Sequence, residues 1–241
     1  MRRYVNSHLK STESDKELSL FACFFRSVIG FDEANQEYIY SHVVQFAITD
    51  DETNKHYSYS MLESNSKPYI RDNLDKENKA LDPHLHQSIQ EMLARDALPL
   101  PDMDMEGDVV VKKDALFLDY GGNTFVKDDA GCYHISLRGQ RPTDKSASGC
   151  SLKIKPLKPA TRNRSDGVVK VGAHGDDMFY YFITRNEVTG SVMVQGEEFQ
   201  VAGSGWYDHE FGGIIRANNA SEKGAIMSDN FAWQWVSSSQ E

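Results

Sequence analysis

Apolar and polar positions alternate with a period of two along most of the chain, and a helical period is clear only once. Tyr4 to Leu9 is a short extended run, and Leu18 to Phe25 is rich in β-formers. Tyr38 to Ile48 is a long strand closed by Asp50-Asp51, and His56 to Met61 alternates aromatic with polar residues. These four runs predict a meander. Residues 64–82 are polar and charged and read as a loop. Pro83 then opens a helix over His84 to Arg95, where Leu85, Ile89, Met92 and Leu93 make one apolar stripe. Leu98-Pro99-Leu100-Pro101 stops it.

Strands resume at Val109–Val111, Leu116–Tyr120, Cys132–Leu137 and Leu152–Ile154, with residues 139–149 and 157–167 read as loops. The last third predicts strands at Val168–Val171, Phe179–Thr184, Val188–Val194 and Phe199–Val201, joined by short turns. Many short strands with turns at roughly ten-residue spacing imply a sandwich or barrel rather than βαβ units. The fold class is mainly β, an antiparallel barrel or half-barrel with one flanking helix. Phe231 to Val236 is an apolar strand carrying Trp233 and Trp235, and such a strand needs a partner sheet. The expected division is a domain over residues 1–225 and the first strand of a second β domain over 226–241.

Composition narrows the setting. Hydrophobic residues make up 39% and aromatics 11% of 241 residues, enough for one sizeable core. No stretch approaches the roughly 20 apolar residues that span a bilayer, and Met1-Arg2-Arg3-Tyr4 is followed by no apolar leader run. The net charge of −10 and the lack of a Lys/Arg stripe argue against nucleic acid as a partner. Cys23, Cys132 and Cys150 form no CxxC pair and read as buried thiols of a reducing compartment, which gives a cytoplasmic expectation.

Ser204-Gly205-Trp206-Tyr207-Asp208-His209-Glu210-Phe211-Gly212-Gly213 concentrates the chemistry. On a strand, Trp206, Asp208 and Glu210 share one side, and Tyr207, His209 and Phe211 the other. Burial among aromatics raises a carboxyl pKa, and a second carboxylate nearby adds to the effect, which is how a general acid stays loaded near neutral pH. Aromatic π faces would stabilise a developing carbocation. The same cluster also suits a hydrogen-bonded corner that ties a loop to a barrel.

The stretch from Gly203 to Gly212 resembles the signature of the AttH-like family of lipocalin-related proteins. That family includes carotenoid 1,2-hydratases, with fungal decalin-forming Diels–Alderases as distant relatives. Tyr4-Val5-Asn6-Ser7, Phe24-Phe25-Arg26, Ser41 to Asp50 and Phe179 to Arg185 resemble other family strands in order and spacing. Met1-Arg2-Arg3 replaces a leading Trp-Trp, Phe211 stands where Trp is commoner, and the strand at 179–185 has no His-x-Trp pair.

The resemblance implies a lipocalin-like (calycin) barrel, the N-terminal part of a two-domain protein. It also implies an apolar isoprenoid or polyketide-like ligand, collected through peripheral membrane contact, and no metal or organic cofactor. Asp208 is then the candidate acid, with Glu210 and His209 in support. Trp206, Tyr207, Tyr181, Phe179, Arg185 and His42 are candidate ligand-binding residues. The implied activity is that of a hydro-lyase or cyclase/isomerase: hydration, cyclisation or isomerisation by acid catalysis. A non-catalytic carrier of a hydrophobic ligand is the alternative.

His42, among apolar neighbours, also reads as a satisfied core histidine, and His84-x-His86 diverges on a helix and makes no zinc pair. No Gly-x-Ser-x-Gly elbow or phosphate-binding loop appears. Arg26 and Arg185 are the expected partners of the signature carboxylates if those are structural. A collapsed barrel filled with its own side chains would instead mean that the pocket needs a further domain.

Overall fold

A computed structural model describes residues 1–68, 83–95, 102–140, 146–171 and 176–212. The predicted strand at Phe231–Val236 and the helix stop at 98–101 lie outside these residues. Strands β1 (Arg2–Ser11), β2 (Glu17–Asp32), β3 (Glu37–Asp50) and β4 (Lys55–Leu62) form the expected meander. Helix α1 (Pro83–Ala94) follows, and its stripe residues Ile89, Met92 and Leu93 are only partly buried. After it come β5 (Asp102–Asp104), β6 (Val109–Val111), β7 (Phe117–Tyr120), β8 (Asn123–Lys127), β9 (Tyr133–Gln140) and β10 (Ala147–Pro156). The chain continues through β11 (Thr161–Arg162), β12 (Val168–Val171), β13 (Asp176–Val194) and β14 (Glu197–Gly212).

All of these strands belong to one sheet, in the order β5-β4-β3-β2-β1-β14-β13-β10-β9-β8-β7-β6, with β11 and β12 paired to β13. Every pairing is antiparallel except β4 with β5. The pattern of burial explains the elements: β9 alternates buried and exposed at all eight positions, so one of its faces is core and the other surface.

The sheet rolls until its inner faces meet. Phe24 of β2 lies 5.3 Å from the ring of Tyr120 on β7 and 5.9 Å from that of Phe125 on β8, and Tyr207 of β14 lies 4.9 Å from Tyr133 on β9. Gly139 of β9 permits the close approach of β4, since a Cβ there would sit 2.3 Å from the Tyr59 ring. Phe24, Phe46, Phe125, Tyr59, Tyr120 and Tyr207 fill the interior, each fully buried one contributing on the order of 2–3 kcal/mol. The fold class is the expected mainly antiparallel β architecture with little helix among the described residues. No helix among the described residues is long and apolar enough to cross a membrane.

Three local readings change. Asn123–Lys127, left unassigned in the sequence pattern, is strand β8, where Phe125 points into the core and its neighbours point out. The two strands predicted at 179–184 and 188–194 are one strand, β13, interrupted by a bulge between Ile183 and Asn186. The buried Asn186 amide holds that bulge by donating to the carbonyls of Ile183 (3.0 Å) and Gly205 (2.9 Å). The loop predicted at 139–149 is shortened by β9, which ends at Gln140, and by β10, which begins at Ala147, while the loop predicted at 157–167 holds apart from the two-residue β11. The three cysteines are unpaired and buried.

Candidate functional site

The Asp-His-Glu segment lies in the second half of β14, between β1 and β13. A two-residue turn starts that strand. Gln195 at φ 50° and Gly196 at φ 90° both have positive φ, the geometry that matches the twist of a tight hairpin. Gly203 and Gly205 then let β14 sit close to its neighbours. A Cβ at 203 would meet the His8 carbonyl oxygen at 2.0 Å, and one at 205 would meet the Val188 side chain at 2.8 Å.

Because the segment is a true strand, its side chains divide between two faces. Register fixes which residues share each face. Tyr4, Asp208 and Phe182 are opposite one another across β1, β14 and β13, and so are Arg2, Glu210 and Tyr180. Arg3, His209 and Tyr181 form a row on the other face, followed by Val5, Tyr207 and Ile183. The second set faces the barrel interior, and the first faces outward.

On the outer face, Asp208 is only 6% exposed. Tyr180 Oη donates to its Oδ1 at 2.9 Å and Trp206 Nε1 donates to the same oxygen at 2.6 Å. Phe182 stacks on Trp206 with centroids 5.2 Å apart, and Tyr4 leans on Phe21 and Phe25 at 6.3 and 6.0 Å. The result is an aromatic wall around one carboxyl. Burial raises the Asp208 pKa above the usual carboxylate range, and the Trp206 and Tyr180 hydrogen bonds oppose that rise without cancelling it. Glu210 is also raised, mainly by burial, with Arg2 opposing and the Asp208 charge reinforcing.

The cationic partner of the segment is Arg2, 3.7 Å from Glu210, beyond hydrogen-bond reach. The expected pairing with Arg26 or Arg185 does not form. Arg26 lies over the Tyr40 ring, and Arg185 is exposed in the β13 bulge, its carbonyl accepting from the Leu157 amide. The bulge rotates Arg185 out of the strand's alternation, which the sequence pattern does not reveal.

On the inner face, His209 is 7% exposed, and neither ring nitrogen has a hydrogen-bond partner. Burial, with the Arg3 and Met1 amino charges, pulls its pKa down to about 3, so the imidazole is neutral. Arg3 Nη1 donates to the Tyr207 hydroxyl, and the Tyr181 ring meets the Tyr207 ring edge-on with centroids 6.1 Å apart. Phe179 stacks on Phe211 at the rim of the same face. His42 lies in the interior too, with Nδ1 2.7 Å from Glu63 Oε2.

Of the candidate residues, Asp208, Glu210 and Trp206 are therefore together outside, and His209, Tyr207, Tyr181, Phe179 and His42 are inside. Tyr180 and Phe182 complete the outer wall and were not singled out by sequence. Their alternation with Phe179 and Tyr181 is the signal that points to them.

No family model and no curated protein matches the chain. Solved structures do. A candidate AttH protein from Nitrosomonas europaea aligns with a TM-score of 0.58 at 17% identity, over 91% of this chain and 53% of that one. The fold is shared with an AttH-like protein. Kievitone hydratase from Nectria haematococca aligns with a TM-score of 0.55 at 13% identity, over 89% of this chain and 48% of that one. The chain thus spans about half the length of the structures it matches, and likeness at this identity concerns the fold. The lipocalin-like resemblance of the sequence and the observed architecture agree.

Proposed function

We propose that this chain carries the acid of a cofactor-independent hydratase acting on an apolar, alkene-bearing small molecule of isoprenoid or polyketide type. One observation carries the reading: Asp208 is a buried carboxyl, raised in pKa, without a cation beside it, inside a wall of Trp206, Tyr180, Phe182 and Tyr4. Likeness in fold to kievitone hydratase supports the same reaction class.

Both donors end on Oδ1, so Oδ2 is the oxygen that holds the acid proton. Transfer of that proton to one alkene carbon breaks the π bond and leaves a cation on the other. The aromatic faces stabilise the cation, and Tyr180 and Trp206 stabilise the carboxylate that forms. A water oxygen then bonds to the cationic carbon. The resulting oxonium returns a proton to Asp208, so the net change is addition of one water. If the cation instead loses a neighbouring proton or is captured by a second alkene, the same acid performs isomerisation or cyclisation.

An interior filled by its own aromatic side chains supports a substrate held against the outer wall over a carrier's ligand enclosed within the core. The test is turnover of apolar alkenes, kievitone among them, in ¹⁸O-labelled water, with Asp208→Asn in parallel. Label appearing in the product with the parent protein and not with the variant is expected. Unchanged ligand with both proteins would make this a carrier and Asp208 a structural residue.

A further inference from the structure

The inner mouth of the barrel gathers buried polar atoms that have no hydrogen-bond partner among the described residues. The Tyr120 side chain is fully buried and its hydroxyl has no hydrogen-bond partner. The same is true of His42 Nε2, although Nδ1 of that ring is held by Glu63. The Nε atoms of Arg3 and Arg26 are also buried and unpartnered. A buried group without a partner carries its full desolvation penalty, so four such groups on one concave surface mark a place built for something else.

These groups lie close together. The rings of His42 and Tyr120 are 5.0 Å apart, and the Arg26 guanidinium covers the Tyr40 ring at 3.6 Å. Arg26, Arg3 and Glu63 are all close enough for their charges to act on the Tyr120 phenol. The charge balance there is two guanidinium groups against one carboxylate. Glu63 is already engaged, accepting from the His42 backbone amide at 3.0 Å as well as meeting the ring. Guanidinium groups only donate, and they match the two oxygens of a carboxylate. Nearby, the mouth turns apolar: Phe179 and Phe211, 43% and 37% exposed, stack at 5.4 Å on the same inner face as His209.

We propose that the mouth of the barrel binds the carboxylate head of an otherwise apolar organic acid. Arg3, Arg26, His42 and Tyr120 surround the head, and Phe179 and Phe211 contact its apolar body. This site is separate from the Asp208 wall on the opposite face of the sheet, and it stands whether or not Asp208 is an acid catalyst.

Titration calorimetry with decanoate and with 1-decanol tests the proposal, because the two probes share a chain and differ in the head. Decanoate is expected to bind about tenfold or more tightly than decanol, the worth of one charge-assisted hydrogen bond. Arg26→Gln should remove most of that preference and leave decanol binding unchanged. Tyr120→Phe is the second variant, since it deletes only an unpartnered hydroxyl and should melt no lower than the parent. It should nevertheless weaken decanoate several-fold. Equal binding of the two probes, no saturable binding of decanoate, or a Tyr120→Phe protein that binds decanoate unchanged would each overturn the proposal and leave the mouth merely hydrated.

Discussion

The two faces of β14 carry titratable groups from adjacent positions, yet their chemistry is opposite. Asp208 points outward, gains two hydrogen bonds and rises in pKa, while His209 points inward, gains none and falls to about 3. Burial drives both shifts, because it disfavours whichever form is charged. In each case the shift favours the neutral form. A carboxyl whose pKa is raised holds its acid proton to higher pH, whereas an imidazole with a pKa near 3 is a weak base. Adjacent residues therefore meet different surroundings, and a motif spelled in sequence order divides between two faces.

The sharpest way to break this contrast is to neutralise each face in turn. Asp208→Asn should lower turnover by roughly 10³-fold, within the usual range for a general acid, with little loss of folding stability. His209→Gln should change turnover by less than about threefold on the same assay. Comparable losses from both would merge the two faces into one site. A second experiment attacks the element that holds them in place. Asn186→Ala leaves the carbonyls of Ile183 and Gly205 unsatisfied and should cost about 2–3 kcal/mol, read as a shifted urea midpoint at constant m. An unchanged midpoint would remove Asn186 from the account.

The pH dependence should differ between the faces as well. His209 takes up a proton near 6.5 when unfolded and near 3 when folded, so the unfolded chain binds more protons between those values. Stability should therefore fall as pH drops from about 6.5 towards 3, and urea midpoints of His209→Gln should fall less steeply over that window. Asp208 acts on activity instead: the rate should decline as pH rises through its raised pKa, since only the protonated form donates. The smallest effect belongs to Tyr180→Phe. Loss of one donor to the carboxylate raises the Asp208 pKa further, so the alkaline limb of the rate profile should move up by a fraction of a pH unit. Movement in the other direction would show that Tyr180 does not serve the charged form.

The meander, the helix and the strand alternation were legible because period-two patterning reports burial directly, as in Tyr38–Ile48 and His56–Met61. The division of Trp206, Asp208 and Glu210 from Tyr207, His209 and Phe211 was legible for the same reason. The curl of the sheet was not, so nothing local told which of those sets would face inward. Phe24 meeting Phe125 and Tyr120 is a contact across a hundred residues, and it settles that choice. The bulge was hidden too. Thr184-Arg185-Asn186-Glu187 reads as a polar turn between two strands, and only the Asn186 bonds to both neighbouring backbones turn it into a continuous one.

The bulge in β13 has a consequence for how such a chain tolerates change. Faces of a strand are assigned by parity, so the position of every residue beyond an interruption depends on whether the count through it is odd or even. Between the pairs Ile183–Tyr207 and Asn186–Gly205, β13 carries one residue more than β14, so deleting a single residue there would straighten the strand and leave Tyr180 and Tyr181 on their present faces. Loss of two would instead flip the phase of Phe179–Phe182 relative to β14, sending Tyr180 inward and Tyr181 outward. Length variation here should therefore be confined to that one extra residue, a rule about counting rather than about chemistry.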